Sequence, residues 1–256
     1  ALLSVEREPK CERQTGDAEV LYKKILNNVS DADSRARFLG KLANLYLSTR
    51  NRNDAIPILE QVAREFPDSA EAPKALYQIG QIFWNRHENS QALGYFKQVL
   101  ENYPSSDYVD RAQFAAADIH EFFGRKEEAI QLYNSVIRQF PKSQVRDDAA
   151  WRLAWLYYQN GDLATAAAAF KSLESQSKNG PFAVAALYWR ARVTEKLGEL
   201  ESARQLHRQI IDGAAESYYQ MLSLRALKRL GETVNEVKSN KAAVTPEADP
   251  PIAPDL

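Results

Sequence analysis

Small apolar residues recur along this chain at one fixed distance. Ala18, Ala55, Ala92, Ala129, Ala166 and Ala203 are each 37 residues apart. Ala43, Gly80, Ala117, Ala154 and Ala191 form a second small column in the same period. Ile25, Val62, Val99, Val136, Leu173 and Ile210 form an aliphatic one, and Tyr22, Leu59, Phe96, Tyr133, Phe170 and His207 one of mostly large residues. A constant period of this length means that one supersecondary unit is stacked repeatedly. Within a unit, Ala55, Leu59 and Val62 are four and three residues apart, which places them on one helix face. Tyr46 lies three residues beyond Ala43 and repeats as Phe83, His120, Tyr157 and Thr194. Small residues let one helix backbone approach another, and large ones fill the space beside that contact. Each unit therefore predicts as a pair of antiparallel helices.

Turn signals fall between these faces. Gly124, Gly161 and Gly198 end the first helix of their units, where a left-handed residue is cheap for glycine. His87 and Arg50 hold this register in earlier units, with Asn51 beside Arg50 as a cap. Pro67, Pro104 and Pro141 end the second helix, and Ser69, Ser106 and Ser143, two residues later, are expected to cap the next one. The pattern predicts a helix over 17–28, pairs over 35–49/53–66, 71–86/90–103, 108–123/126–140, 146–160/163–175 and 182–197/200–212, and a last helix over 216–230. Residues 1–16, which carry Pro9 and match the columns poorly, read as an N-terminal extension or truncated repeat. The helical array covers 17–231. Residues 232–256, with Pro246, Pro250, Pro251 and Pro254, read as a flexible Pro-rich linker or tail.

Composition narrows the function classes. Lys and Arg total 33 against 34 Asp and Glu, a net charge of -1, so no general attraction to nucleic acid or anionic membranes is predicted. No apolar run approaches the roughly 18 residues that cross a bilayer, and no basic-then-apolar leader opens the chain, so a signal peptide is expected to be absent from it. Cys11 is the one cysteine, so no internal disulfide can form.

The paired helices with small–large–small columns and a closing proline resemble the tetratricopeptide repeat, whose usual period is about 34. That resemblance implies an all-α, right-handed superhelix. The longer Pro-x-Ser linkers are similar to those of bacterial envelope proteins, which implies a periplasmic location. Toward the C-terminus, Ala186-Leu187-Tyr188-Trp189-Arg190-Ala191-Arg192, then Lys196-Leu197-Gly198, Ala203, Glu216-Ser217-Tyr218-Tyr219 and Leu230-Gly231 resemble the superhelical region of soluble lytic murein transglycosylases. In that family a superhelix supports a lysozyme-like domain that cleaves peptidoglycan with one glutamate of a Glu-Ser pair, followed by a Gly-x-Met-Gln motif. Here Glu174-Ser175, Glu201-Ser202 and Glu216-Ser217 all fall within the helical map, and Met221 is followed by leucine. The resemblance thus implies a non-catalytic part of such an enzyme, with the catalytic domain expected beyond Leu256. The alternative is a stand-alone envelope protein that binds partner proteins or peptides in a concave groove. A cytoplasmic adaptor with a basic clamp is disfavoured, because Asp148 and Ala185 interrupt the column of Arg37, Lys74 and Arg111.

Candidate chemistry within the chain is sparse. His87, His120 and His207 are too far apart to predict a metal site, and His120 and His207, which occupy repeat columns, read as satisfied helix–helix histidines. Phosphate loops, paired-cysteine zinc patterns and serine-nucleophile elbows are missing, so no cofactor and no catalytic residue is predicted. By helical phase, the concave face carries Tyr77, Phe114, Trp151 and Tyr188, then Asn44, Gln81, Asp118, Trp155 and Arg192 four residues on, then Trp84, Glu121, Tyr158 and Glu195. Rings beside fixed polar groups suit peptide or sugar recognition. The binding residues expected from this are Tyr77, Trp84, Asp118, Trp151, Trp155, Tyr158 and Arg192, with a protein, a peptide or peptidoglycan as partner. The competing reading is that the column of Tyr77 packs between neighbouring pairs.

Overall fold

The computed structural model describes residues 8–49, 51–177, 180, 182–213 and 218–232, with the backbone alone for 8–15. Arg50, Glu216-Ser217, the tail from residue 233 and the side chain of Cys11 lie outside the described residues. The described elements are helices, and no strand occurs among them. They run α1 (Glu8–Asn28), α2 (Ala32–Ser48), α3 (Arg52–Glu65), α4 (Glu71–Asn85), α5 (Asn89–Asn102), α6 (Val109–Phe122), α7 (Lys126–Gln139), α8 (Arg146–Gln159), α9 (Leu163–Gln176), α10 (Ala183–Lys196), α11 (Leu200–Gly213) and α12 (Tyr218–Arg229). Their ends lie within three residues of the periodic pattern, apart from the start of α1. That helix begins at Glu8, because Pro9 sits in its first turn, where an amide has no intrahelical partner to lose. The chain forms two compact units, divided inside α6 between Ile119 and His120.

The columns become the cores of both units. Ala55, Ala92, Ala129, Ala166 and Ala203 are fully buried, as are Ala43, Ala117, Ala154 and Ala191. Leu59, Phe96, Tyr133, Phe170 and His207 are fully buried beside them. Gly80 shows why one member of the small column lacks even a methyl. A Cβ there would come within 2.5 Å of the Phe96 ring.

Two kinds of turn connect the helices. Within a pair, the amides of Glu88, Arg125, Asp162 and Glu199 donate to the carbonyls of Phe83, His120, Tyr157 and Thr194 at 2.9–3.1 Å. The residue before each, His87, Gly124, Gly161 or Gly198, has φ of 61°, 71°, 79° or 83° and donates to the carbonyl three back at 2.8–3.1 Å. This double bond pattern is the Schellman C-cap, repeated from unit to unit. Between pairs, the amides of Ser69, Ser106 and Ser143 each donate to the carbonyl of Phe66, Tyr103 or Phe140 at 3.0 Å. Proline follows the acceptor residue, where its fixed φ suits a β-turn. Gly180 repeats the bond to Ser177 at 2.7 Å in the next register.

The serines do not cap the following helices as expected. Ala70 and Val145 precede α4 and α8, with no side-chain cap bond. The β-turn leaves each serine too early for the helix amides, so its hydroxyl acts inside the linker. Ser106 and Ser143 Oγ accept from the amides of Tyr108 and Val145 at 3.1 Å. Ser69 Oγ donates to the Phe66 carbonyl at 2.7 Å. Asn51, expected to cap the end of α2, donates its amide to the Tyr46 carbonyl at 2.9 Å, as Glu88 does to Phe83, while its side chain turns to Asp54.

His87 is the non-glycine residue with positive φ among those described, a conformation that costs a β-carbon roughly 1–2 kcal/mol. His87→Gly is therefore expected to raise stability by about 0.5–1 kcal/mol, after the entropy cost of glycine. Gly161→Ala, where no atom obstructs a methyl, is expected to lose about 1 kcal/mol through φ alone. Urea unfolding midpoints of the two variants, compared with wild type, check both signs.

Candidate binding faces on the first helices

In the first unit, α4 carries the candidate face. Its Tyr77 is half-buried, with its ring 5.7 Å from Phe96 and 5.6 Å from Tyr108. Gln81 Nε2 donates to the Tyr77 hydroxyl at 3.0 Å. Burial pushes the Tyr77 phenol above its ordinary pKa, against the opposing pull of Arg111. Arg111 also lies 5.7 Å over the Tyr108 ring. Trp84, half-buried, meets Phe96 edge-on at 6.4 Å. Gln78 Nε2 donates to Asn44 Oδ1 at 2.7 Å, tying α4 to α2. Asp118 is buried and engaged with its surroundings. Tyr77 and Trp84 thus flank one ring, Phe96, and both keep a half-open edge.

The second unit gathers more aromatic rings. Trp151 stacks on Phe182 at 5.3 Å and contacts Trp155 at 5.9 Å. Trp155 packs against Trp189 at 4.4 Å and against Tyr158 at 5.3 Å. Tyr188 continues the series to Tyr219 at 5.5 Å. Trp151, Trp155, Tyr188 and Trp189 are all buried, Trp155 to 1 %. The rings at 151 and 188 therefore pack between helices, while those at 77 and 114 stay half-buried. The indole N–H groups of Trp155 and Trp189 have no partner among the described residues. Removing Trp155 would open a cavity worth roughly 3–5 kcal/mol, so its substitution reads out packing before recognition.

Tyr158 and Arg192 differ in having access to solvent. Both are half-buried, and the Lys196 ammonium lies 4.3 Å over the Tyr158 ring. Arg192 donates to the Tyr188 hydroxyl at 3.0 Å and reaches Glu195 at 3.8 Å. Beside them, Arg152 and Glu121 approach to 3.9 Å, and Tyr133 donates to Glu121 at 2.8 Å. Asp148 breaks the basic column as the sequence indicates, and burial with the neighbouring Asp147 raises its carboxyl pKa.

Glu195 is the polar hub of this unit. His207 Nε2 lies 2.8 Å from it and Arg229 donates to it at 2.5 Å. His207 Nδ1 faces Ser223 Oγ at 3.1 Å. Serine and histidine are both fully buried, so this serine–histidine–glutamate chain binds three helices together and is closed to substrate. Sequence reasoning found Glu195 by phase but missed Ser223, Arg229, Lys196 and Trp189, which lie off its chosen columns. The reading of His120 and His207 as satisfied helix–helix residues holds at His207. His87 is exposed at the turn, and His120 Nδ1 has no partner among the described residues.

Burial on its own would raise the Glu195 carboxyl, but hydrogen bonds from His207 and Arg229 hold it below the ordinary 4.5. A depressed carboxyl stabilises the fold above its unfolded pKa and loses that contribution as pH falls through the folded value. Glu195→Gln is expected to be less stable than wild type at pH of about 7 and to lose less stability between about pH 5 and pH 3. Thermal melts of both proteins across that range check it.

The profile of the tetratricopeptide repeat matches residues 41–107, 77–144 and 151–218. No protein of curated function matches the chain. Solved structures share its fold at low identity. BtubC (BKLC) from P. vanneervenii is 14% identical, with a TM-score of 0.60 over 93% of this chain and 99% of that one. YrrB, a TPR protein with an unusual peptide-binding site, is 16% identical, with a TM-score of 0.57 over 81% and 97%. Pseudomonas aeruginosa pilF is 19% identical, with a TM-score of 0.56 over 78% and 86%. Among the described residues no helix is long and apolar enough to cross a membrane. The all-α array of helix pairs is a scaffold suited to protein–protein interaction. With the repeat profile covering more than half of its length, this chain belongs to the tetratricopeptide repeat family.

Proposed function

We propose that this chain is a non-catalytic repeat scaffold that holds a segment of a partner protein against its first helices. The observation that carries this reading is the platform at Tyr158. Its ring rests on buried Trp155 and Trp189, carries the Lys196 ammonium at 4.3 Å, and shares its unit with the half-open guanidinium of Arg192. A ring held rigid by packing offers contact area at low entropy cost, and cations beside it orient a ligand's acceptors. Tyr77 and Trp84 offer a similar but more polar edge in the first unit. YrrB, with its peptide-binding site, supports the partner class through its fold. Peptides selected on this chain from a displayed random library are expected to bind at least about tenfold more weakly to a Tyr158→Ala/Arg192→Ala variant. Far-ultraviolet circular dichroism is expected to be unchanged. Equal binding by both proteins would remove the site from this face.

A finer reading follows from the series between Ala186 and Gly231. Its resemblance to lytic transglycosylases supports a periplasmic scaffold that positions an enzyme on peptidoglycan. On this reading the chain co-sediments with purified peptidoglycan sacculi and leaves them intact. A chain that stays in the supernatant would leave the protein-binding reading standing without peptidoglycan.

A further inference from the structure

The 37-residue register is broken at one place on a different face of α10. Tyr46, Phe83, His120 and Tyr157 precede Thr194 in their column, so the last member has no ring. Ile56, Leu93 and Ile130 precede Ala167 in theirs, so the wall beside it is also cut back. Elsewhere the ring is used. Phe83 stacks on Tyr95 at 5.5 Å with planes 7° apart, and Asn134 Nδ2 reaches the Tyr157 hydroxyl at 3.5 Å. Thr194 instead turns its hydroxyl onto the Arg190 carbonyl at 2.8 Å.

What the two reductions leave is a cavity of about 460 Å³, walled by α9 and α11 and floored by α10. A second cavity of about 440 Å³ adjoins it at Gln209. The floor carries a third departure. Arg190 occupies a column otherwise filled by Leu42, Ile79, Ala116 and Leu153. Its guanidinium pairs with Glu174, and each member of the pair lines one of the two cavities.

We propose that this groove docks a partner protein segment that inserts a tyrosine or phenylalanine ring above Thr194, alongside the Arg190 guanidinium. The repeat itself states the chemistry, since in four preceding units the same place is filled by an aromatic or imidazole side chain of the chain's own. Arginine beside a ring-sized gap favours an aromatic occupant over an aliphatic one, because the cation is drawn to the ring face. The volume is within the range of pockets that bury a drug-sized ligand, room for a ring together with the backbone that carries it. Exposed Lys171 and Gln209 at the rim supply donors for the flanking backbone. None of Tyr158, Arg192 or Lys196 lines this groove, so it is a second site, independent of the first-helix face.

The test is an amide chemical-shift titration of the whole chain with p-cresol, the isolated tyrosine side chain, followed by selection of displayed peptides. Saturable shifts are expected at Thr194, Ala167 and Leu206. Thr194→Val keeps the gap and is expected to keep them. Thr194→Tyr and Ala167→Ile restore residues that other units use, and either is expected to abolish the shifts. Thr194→Tyr is also expected to raise Tm, since the fold then fills its own cavity. Selected peptides of this class carry an aromatic residue, lose at least about tenfold in affinity to Ala167→Ile, and are indifferent to Tyr158→Ala. Shifts that are absent, that centre elsewhere or that survive Ala167→Ile would overturn the proposal. Peptides that bind Ala167→Ile as well as wild type would do the same.

Discussion

Close approach of helix backbones at the two small-residue columns is the constraint on which everything else in this protein depends. Ala55, Ala92, Ala129, Ala166 and Ala203 are buried to completion because nothing larger than a methyl separates their helix from its neighbours. Space given up at one column is taken by the other. Gly80 yields the volume that the Phe96 ring occupies, and the same ring then supports Tyr77 and Trp84. The Schellman caps and the Pro-x-Ser turns hold the register in which these exchanges repeat. In such an array each pair is stabilised by its nearest neighbours, so local departures from the pattern alter a surface without dismantling the fold.

Those departures are where extra rings and charges collect. In the second unit, the first-helix columns trade consensus residues for tryptophan and tyrosine, and the rings pack into a continuous bed. Most of that bed is sealed, leaving Tyr158 and Arg192 as its open edge. A buried histidine has replaced the aromatic of its column at position 207. It links Glu195 to Ser223, so three helices are joined by polar contacts, where two repeats earlier Tyr133 makes a single bond to Glu121. On another face of the same α10, loss of a ring at Thr194 and gain of a charge at Arg190 open a groove instead. One helix thus serves two surfaces, because its sides depart from the repeat in opposite directions.

Helix number, pairing and turn positions were legible in the sequence because each depends on local spacing. A left-handed residue after the first helix, a proline after the second and a 37-residue step leave little choice. The start of α1 escaped, since Pro9 is a breaker in a helix interior and harmless in a first turn. The role of the serines escaped because capping depends on a turn geometry that sequence spacing does not show. The candidate site was legible by face and illegible by depth. Helical phase placed Trp151, Trp155 and Tyr158 on one side of α8, but phase does not say how far a neighbouring helix extends over each of them.

The amino-acid sequence by itself determined the repeating unit, its family and the identity of the residues that depart from its columns. These follow from periodicity, which is a property of the chain in one dimension. The tertiary structure alone decided which departures are buried and which are open, for example sealed Trp155 against accessible Tyr158. It alone showed that a missing ring at Thr194 becomes a groove, whereas a histidine at 207 becomes a sealed polar link. Exposure is set by what the adjacent helix places opposite a residue, and that partner is some 12 to 35 positions away in the chain.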